Sequence, residues 1–284
     1  SFAEEGSLRN LYKEDFQKYI DYNMKDVQLV DKLEEKMGLI TLAMTVAYKG
    51  GVNYQDTFGV VAIWESIIYR KLNSQKIEPD EMGIRDFEGG YVKEPQVGMH
   101  DWVVSFDLNS LYPNIIVQWN MSPETLNKDP QLNMPSGVQG YLHKKEKQNK
   151  SYTVAANGST YRKDFDGVVP NIIVDYYDER KSIKNMMIAA EKQYQKEKSV
   201  ELEREINRLT NQQMAIKILM NSLYGAIGNK HFRYYDLRIA EGITLTGQLA
   251  IKWAENAVND ELNKILKTDE DYVIAMDTDS LYIN

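Results

Sequence analysis

Cysteine is missing from this 284-residue chain. Disulfide bridges and thiolate-held metal centres are therefore excluded, and the composition fits a reducing compartment. Missing too is any apolar run near the roughly 20 residues that a membrane-crossing helix needs, so no membrane partner is expected. The opening residues, SFAEEGSLRN, lack the basic and apolar regions of a secretory leader. Positive charge is in short supply: 34 Lys and Arg stand against 42 Asp and Glu, for a formal net charge of −8. Phosphate neutralisation needs cations, so that total lends no support to a nucleic-acid partner. Local stripes decide binding, however, and the cations gather in HKKEKQNK at 143–150, ERKSIK at 179–184 and KHFRYYDLR at 230–238.

At 43% hydrophobic, the chain can bury a core as one large domain or two. Without a starting Met, and ending in the strand-like LYIN, it reads as a piece of a longer chain. Residues 10–37 predict a helix, with Leu11, Ile20, Met24, Val27, Val30 and Leu33 near helical spacing and Gly38 as its stop. A helix through VAIWESIIYRKL (61–72) and a break at Glu78-Pro79 follow. Gly89-Gly90 marks a tight backbone passage. Residues 101–118 read as a strand and a corner, and 121–165 as loops with short strands. From Pro170 to about 227 two helical segments meet near Lys198-Ser199; another helix covers 236–266, and 272–284 read as strand, acidic turn, strand. There is no internal repeat. The predicted fold class is α+β: an antiparallel sheet with packed helices, interrupted by an inserted helical hairpin.

In SFDLNSLYPNII (105–116) an apolar run stops on a lone carboxylate, Asp107, before a Leu-Tyr-Pro corner. In YVIAMDTDSLYIN (272–284) apolar runs flank Asp277-Thr278-Asp279, a hairpin with carboxylates at its tip. Either feature alone is open to a plain reading, a strand-end cap or a structural turn. Together, two strands ending in Asp bring hard oxygen ligands to one place, as Mg²⁺ requires. Two ions about 3.5–4 Å apart would suit an in-line displacement at phosphorus. DERKSIK (178–184) puts Arg180 and Lys184 four apart. QQMAIKILMNSLYG (212–225) puts Gln213, Lys217, Asn221 and Tyr224 on one stripe flanked by apolar residues. A solvated helix face is the plain alternative there; the stripe's Tyr-Gly ending and the basic pair on the opposing helix weigh against it.

These residues resemble a known family. DLNSLYP (107–113), KILMNSLYG (217–225) and DTDS (277–280) look like motifs A, B and C of family B DNA polymerases, in that order. YYDLR (234–238), EGGYVKEP (88–95) and DGVVP (166–170) are similar to T-even-type phage replicative polymerases, so the resemblance covers nearly the whole chain. It implies template-directed DNA synthesis with two Mg²⁺ ions. Asp107 and Asp279 would hold both metals, with the Leu108 carbonyl as a further ligand and Asp277 in support. Arg180, Lys184 and Lys217 would hold the nucleotide phosphates, Asn221 would line the base, and Ser110 would belong to the nucleotide site. Tyr112, with Leu111 beside it, would lie under the deoxyribose where a 2′-hydroxyl clashes. Tyr224 and Gly225 would meet the new base pair, and Gly89 and Gly90 would let the template backbone pass. Asn114 and Met276 depart from the family, which mostly has Ser and Gly there.

The resemblance also implies a layout. Residues 1–38 would end a 3′–5′ exonuclease domain, with Tyr22 and Asp26 of YNMKD as its third motif; 39–80 would return to an N-terminal domain. Palm would be 81–168 and 230–284, with fingers at 169–229 between them. The exonuclease's other acidic residues, a thumb and a tail that binds a sliding clamp are expected outside this chain. Primer-template DNA and deoxynucleoside triphosphates are the expected partners, and the cytoplasm of a phage-infected bacterium the expected location. The palm sheet is expected to finish at residue 284 with an open edge. A rival reading is a catalytically incomplete piece that only binds nucleotide or DNA; another is an RNA-making palm enzyme, which Tyr112 speaks against.

Overall fold

The structure, a computed structural model, describes residues 8–72, 86–129, 137–143 and 151–284. It begins with α1 (Leu8–Glu14), α2 (Phe16–Met37), α3 (Leu39–Gly50), a 3-10 turn (Tyr54–Phe58) and α4 (Val60–Leu72). The single helix expected over 10–37 is two. Asp15 leaves helical geometry, and its carboxylate accepts the Lys18 amide hydrogen at 2.9 Å, capping a new helix. Gly38 does end α2, at φ 59°, with its amide on the Glu34 carbonyl. The apolar repeat of α2 faces no core: none of its side chains is buried, and Met24, Val27, Val30 and Leu33 are each more than half exposed. In α4 the opposite holds, with Ile63, Trp64, Ile67, Ile68 and Leu72 all buried. The Glu78-Pro79 break lies outside the described residues.

The main sheet is antiparallel, with β1 (Val92–Lys93), β2 (Val104–Asp107), β5 (Val273–Asp277) and β6 (Ser280–Ile283) in the order β1-β5-β6-β2. The expected open edge at residue 284 is therefore corrected. β2 returns along β6, from Val104 opposite Ile283 to Asp107 opposite Ser280, and so the chain's last strand is interior. Among the described residues, the free edges belong to β1 and β2. After β2 the chain does not merely turn: it forms α5 (Leu111–Trp119), whose first turn accepts Pro113 because an amide hydrogen there has no helical partner anyway. A short helix, α6 (Gly137–His143), and a small second sheet, β3 (Tyr152–Val154) with β4 (Thr160–Arg162), follow.

The helical hairpin is α7 (Val168–Lys196) and α8 (Val200–Ile227), broken where the sequence places the break. Ser199 caps α8 by accepting the Leu202 amide hydrogen at 3.1 Å, and Glu201 and Glu203 complement the dipole of its first turn. At the start of α7 the Val168 and Val169 amides donate to Glu124 and to the Ser122 hydroxyl, so side chains from another segment complete that end. Then comes α9 (Leu237–Leu266), capped by Asp236. One large core joins α4, α5, α7, α8 and the first half of α9. A smaller one, Ile251, Val273, Met276 and Leu281, lies between α9 and the sheet. Met276 is 1% exposed there and adds its side chain to this core.

Candidate active site

At the β5–β6 turn, the Asp279 amide donates back to the Asp277 carbonyl at 2.6 Å and Thr278 takes φ 53°. A β-branched residue resists that left-handed conformation. It is held there by neighbours: the Thr278 amide donates to the Tyr91 carbonyl at 2.8 Å, and its hydroxyl donates to Asp277 Oδ1 at 3.0 Å. The strap that carries Tyr91 is itself tied to α9, since Thr244 donates to the Glu88 carbonyl and Gln248 to that of Gly89. A Cβ on Gly90 would sit 2.5 Å from Thr278 Oγ1, so the strap approaches the acidic turn as closely as only glycine permits. A Cβ on Gly89 would meet nothing within 4 Å.

Asp107 ends β2 directly opposite Ser280, beside the turn. The next residue, Leu108, donates its amide hydrogen to the Asp279 carbonyl at 2.8 Å, while its side chain packs on the smaller core. The two strand ends are thus bonded to one another through the backbone, with the carboxylates of Asp107 and Asp279 held together. Burial, and then the charge of Asp107, hold the Asp279 carboxyl above its ordinary range. A cation between them would remove both penalties. Among the described residues no three acidic, His or Cys side chains are grouped so that they could hold a metal ion by themselves. Two carboxylates completed by substrate phosphates are nevertheless the donor set that suits Mg²⁺, and the residues present fit that ion.

Asp107 and Asp279 line a cavity of about 530 Å³ together with Ser110, Leu111, Tyr112, Arg180, Lys184, Lys217, Asn221 and Tyr224. The sheet supplies the anionic wall, the hairpin of α7 and α8 the cationic one, and the first turn of α5 the floor. The Arg180 Nε is buried with no hydrogen-bond partner among the described residues, a donor left open to an incoming acceptor. The hairpin is held at this angle from behind, by the buried face of α8 and by Trp64 Nε1 donating to Ser222 Oγ at 3.1 Å. The Tyr112 and Tyr224 rings lie 4.7 Å apart at 46°. Burial, then the charge of Asp279, raises the Tyr112 phenol; burial, then Tyr112, pushes Tyr224 up to about 12. Both phenols stay neutral at physiological pH.

Not every expected residue reaches this cavity. Asp277 is exposed just outside it, Leu108 shows it no side chain, and Gly225, Gly89 and Gly90 do not line it. Gln213, on the same stripe as Lys217, is buried in the core instead. Tyr22 and Asp26 sit exposed on α2. Besides the apolar Ile116, Met220 and Leu223, the cavity adds Asn109, Pro113 and Thr278, none of which sequence reasoning gave a role in the site. For Thr278 a signal existed in its place between two Asp residues in a tight turn; for Asn109 there was none.

A small antiparallel sheet carrying paired carboxylates against a cationic helical hairpin defines a class, and comparison with known proteins agrees. Residues 12–284 match the family model for DNA polymerase family B, and the chain belongs to that family. It is 33% identical over 326 aligned positions to the DNA-directed DNA polymerase of Escherichia phage RB69, covering 99% of this chain and 36% of that protein. The DNA-directed DNA polymerase of Enterobacteria phage T4 is similar at 32%, covering 98% and 36%. DNA polymerase 1 of Pyrococcus abyssi is 35% identical over 197 positions, 69% of this chain and 21% of its own length. The chain thus spans about a third of the phage relatives.

Proposed function

We propose that this chain carries the nucleotide-joining centre of a phage-encoded replicative DNA polymerase, working in the cytoplasm of the infected bacterium. The observation that carries the reading is the single cavity in which Asp107 and Asp279 face Arg180, Lys184, Lys217 and Asn221. The reaction is attack of a primer 3′-hydroxyl on the α-phosphorus of a deoxynucleoside triphosphate. A new P–O bond forms, the bond between the α-phosphorus and the bridging oxygen breaks, pyrophosphate leaves, and the hydroxyl proton passes to solvent. Two Mg²⁺ ions held by Asp107, Asp279 and the Leu108 carbonyl, with Asp277 in support, would supply Lewis-acid activation and neutralise charge at the leaving oxygens.

The chain's own residues position and neutralise. Arg180, Lys184 and Lys217 hold the β- and γ-phosphates by charge-assisted hydrogen bonds, and Arg180 enters with its Nε already stripped of water. Ser110 and Leu111 shape the nucleotide pocket, and Asn221 lines the base. Tyr112 sits under the sugar and refuses a 2′-hydroxyl. Tyr224 and Gly225 meet the minor groove of the new pair, where acceptor positions are nearly common to all correct pairs; Gly89 and Gly90 border the template. Catalysis here is mostly orientation plus electrostatics. In this reading 81–168 and 230–284 are palm, 169–229 fingers, 39–80 a return to an N-terminal domain, and 1–38 the end of a proofreading exonuclease with Tyr22 and Asp26. Primer-template DNA is the partner, and a sliding clamp that of a tail outside this sequence.

The 36% coverage of the phage relatives favours a second reading for residues 1–284 by themselves: nucleotide binding without turnover. One experiment separates them. Purified 284-residue chain is given primer-template, Mg²⁺ and all four deoxynucleotides. Extension that disappears with Asp107→Asn establishes a self-sufficient centre; nucleotide binding without extension supports the second reading. A chain that binds no nucleotide overturns both.

A further inference from the structure

Tyr112 reaches the cavity from the first turn of α5, and what stands behind it is the middle of α9. That helix is unusually fine-grained there: Ala240, Gly242, Thr244, Thr246 and Gly247 are all buried. Gly247 has an ordinary helical conformation, so backbone freedom is not its reason. Its reason is space. A Cβ at Gly247 would lie 3.0 Å from Tyr112 Cε1, 3.6 Å from its Cδ1 and 3.5 Å from Leu111 Cδ2. The first distance is tighter than ordinary carbon contact, so the ring would have to give by a few tenths of an ångström. It has one way to go. Gly247 is not part of the cavity wall, whereas Tyr112 and Leu111 are, and the Tyr224 ring already stands 4.7 Å from Tyr112. Displacement away from α9 is displacement into the cavity.

We infer that Gly247 is a positioning residue for sugar selection: by lacking a side chain, it sets how far the Tyr112 ring stands into the nucleotide cavity. This rests on the polymerase reading for what the ring selects, but not for where the ring lies. A glycine inside a helix lowers helix propensity, and alanine would be the better helix former at this position. Lost propensity here is offset by the depth that the ring gains. Leu111 Cδ2, 3.5 Å from the same Cβ, would be in ordinary contact and need not move, so the conflict falls on the Tyr112 ring alone.

The test is a double-mutant cycle in the complete protein as encoded, with wild type, Gly247→Ala, Tyr112→Ala and the pair. Incorporation of a deoxynucleotide and of its ribonucleotide counterpart is followed at saturating primer-template. Gly247→Ala should raise KM for the deoxynucleotide roughly threefold to tenfold, as overpacking of this size implies. It should raise that for the ribonucleotide further, with kcat for the deoxynucleotide little changed. In the Tyr112→Ala background, where no ring remains to be pushed, the same substitution should change neither KM nor the deoxy-over-ribo preference by more than about twofold. No effect in either background overturns the inference. So does an equal effect in both, which is what a disturbed helix would give. A crystal structure of Gly247→Ala supplies a readout free of catalysis: the ring should stand further into the cavity than in wild type, and an unmoved ring overturns the inference. Should Gly247→Ala fail to fold, a folded double variant locates the conflict at the Tyr112 ring, and an unfolded one overturns it. A Tyr112→Ala preference equal to wild type, or no incorporation by wild type, sinks the polymerase reading while the ring position stands or falls on the crystal structure.

Discussion

Two long helices of this chain carry chemistry-bearing residues one turn apart, and they are treated very differently. On α2, Tyr22 and Asp26 ride a 22-residue helix with no buried side chain. On α8, Lys217, Asn221 and Tyr224 share a stripe of a helix that buries eight residues off that stripe, among them Ile216, Leu219, Met220 and Leu223. Each fully buried Leu, Ile or Met side chain is worth about 1.5–3 kcal/mol, so rotating α8 by even part of a turn is prohibitive. Its polar stripe is therefore aimed. Among the described residues, nothing comparable fixes the azimuth of α2. Spacing puts residues on a common face; burial of the opposite face decides where that face points.

The comparison breaks most visibly if the carboxylates of the aimed region are neutralised. Asp107→Asn or Asp279→Asn in the complete protein should slow single-turnover incorporation about a thousandfold, near 4 kcal/mol of barrier, with DNA binding largely kept. Rates within tenfold of wild type for both variants would return the pair to the status of turn residues. Next in size are the cations across the cavity. Arg180→Ala and Lys217→Ala should each weaken nucleotide binding by roughly 10- to 100-fold, the loss of one charge-assisted contact of about 1.5–3 kcal/mol. Unchanged nucleotide titration curves would mean that the stripe on α8 is only a solvated face.

The sequence was most legible where two independent signals coincide. The β5–β6 hairpin shows two apolar runs and an acidic tip; the α7–α8 hairpin shows helical spacing and a break at Lys198-Ser199. Both stand where they were expected. The misses came from tertiary pairing and from competition with a cap. Asp15 offered a carboxylate to Lys18 and split one helix into two. The corner expected after Asp107 is the first turn of a helix, α5, and β2 pairs with the strand whose outer edge was expected to be open. Gln213 shares a stripe with Lys217 but lies about one turn before it and is buried. Gly247 was invisible for a different reason: its meaning is a distance to Tyr112, and no local pattern encodes that.

A smaller effect, on stability, tests what keeps the aimed region's sheet against α9. Lys93 of edge strand β1 donates to Glu255 of α9 at 2.5 Å, to Asp271 at 2.5 Å and to the Val273 carbonyl at 2.6 Å. Burial pulls its ammonium down, but the bonds to Asp271 and Glu255 outweigh that and leave its pKa raised. For Asp271 burial pushes up, and Lys93 and Asn259 outweigh it, leaving the carboxyl lowered. The signs define a window. The Asp271 contribution is present above the unfolded carboxylate value near 3.9 and is lost as pH falls through the lowered one. The Lys93 contribution is present below about 10.4 and is lost as pH rises through the raised value. Lys93→Met should cost about 2 kcal/mol between pH 5 and 9, because two carboxylates are left without their cation. That penalty should shrink in acid below pH 4. A flat difference in thermal unfolding down to pH 2 would show that packing, not charge, was lost.

The smallest effect on synthesis is expected from the unaimed region. Asp26→Asn should leave extension within about twofold of wild type and stability within about 0.5 kcal/mol, as for an exposed side chain away from caps and cores. Asp26 lies on a helix with no buried side chain and is not part of the cavity wall. Under the family reading the same substitution should nevertheless abolish excision of a mismatched primer end by the complete protein, because a two-metal site loses a ligand when one carboxylate is neutralised. Excision and extension are therefore measured on the same preparation. Extension lost along with excision would mean that α2 is coupled to the cavity after all, and that its exposed face is completed by an element that also steadies α8. Excision retained would remove Tyr22 and Asp26 from any catalytic role and leave them as surface residues of an amphipathic helix.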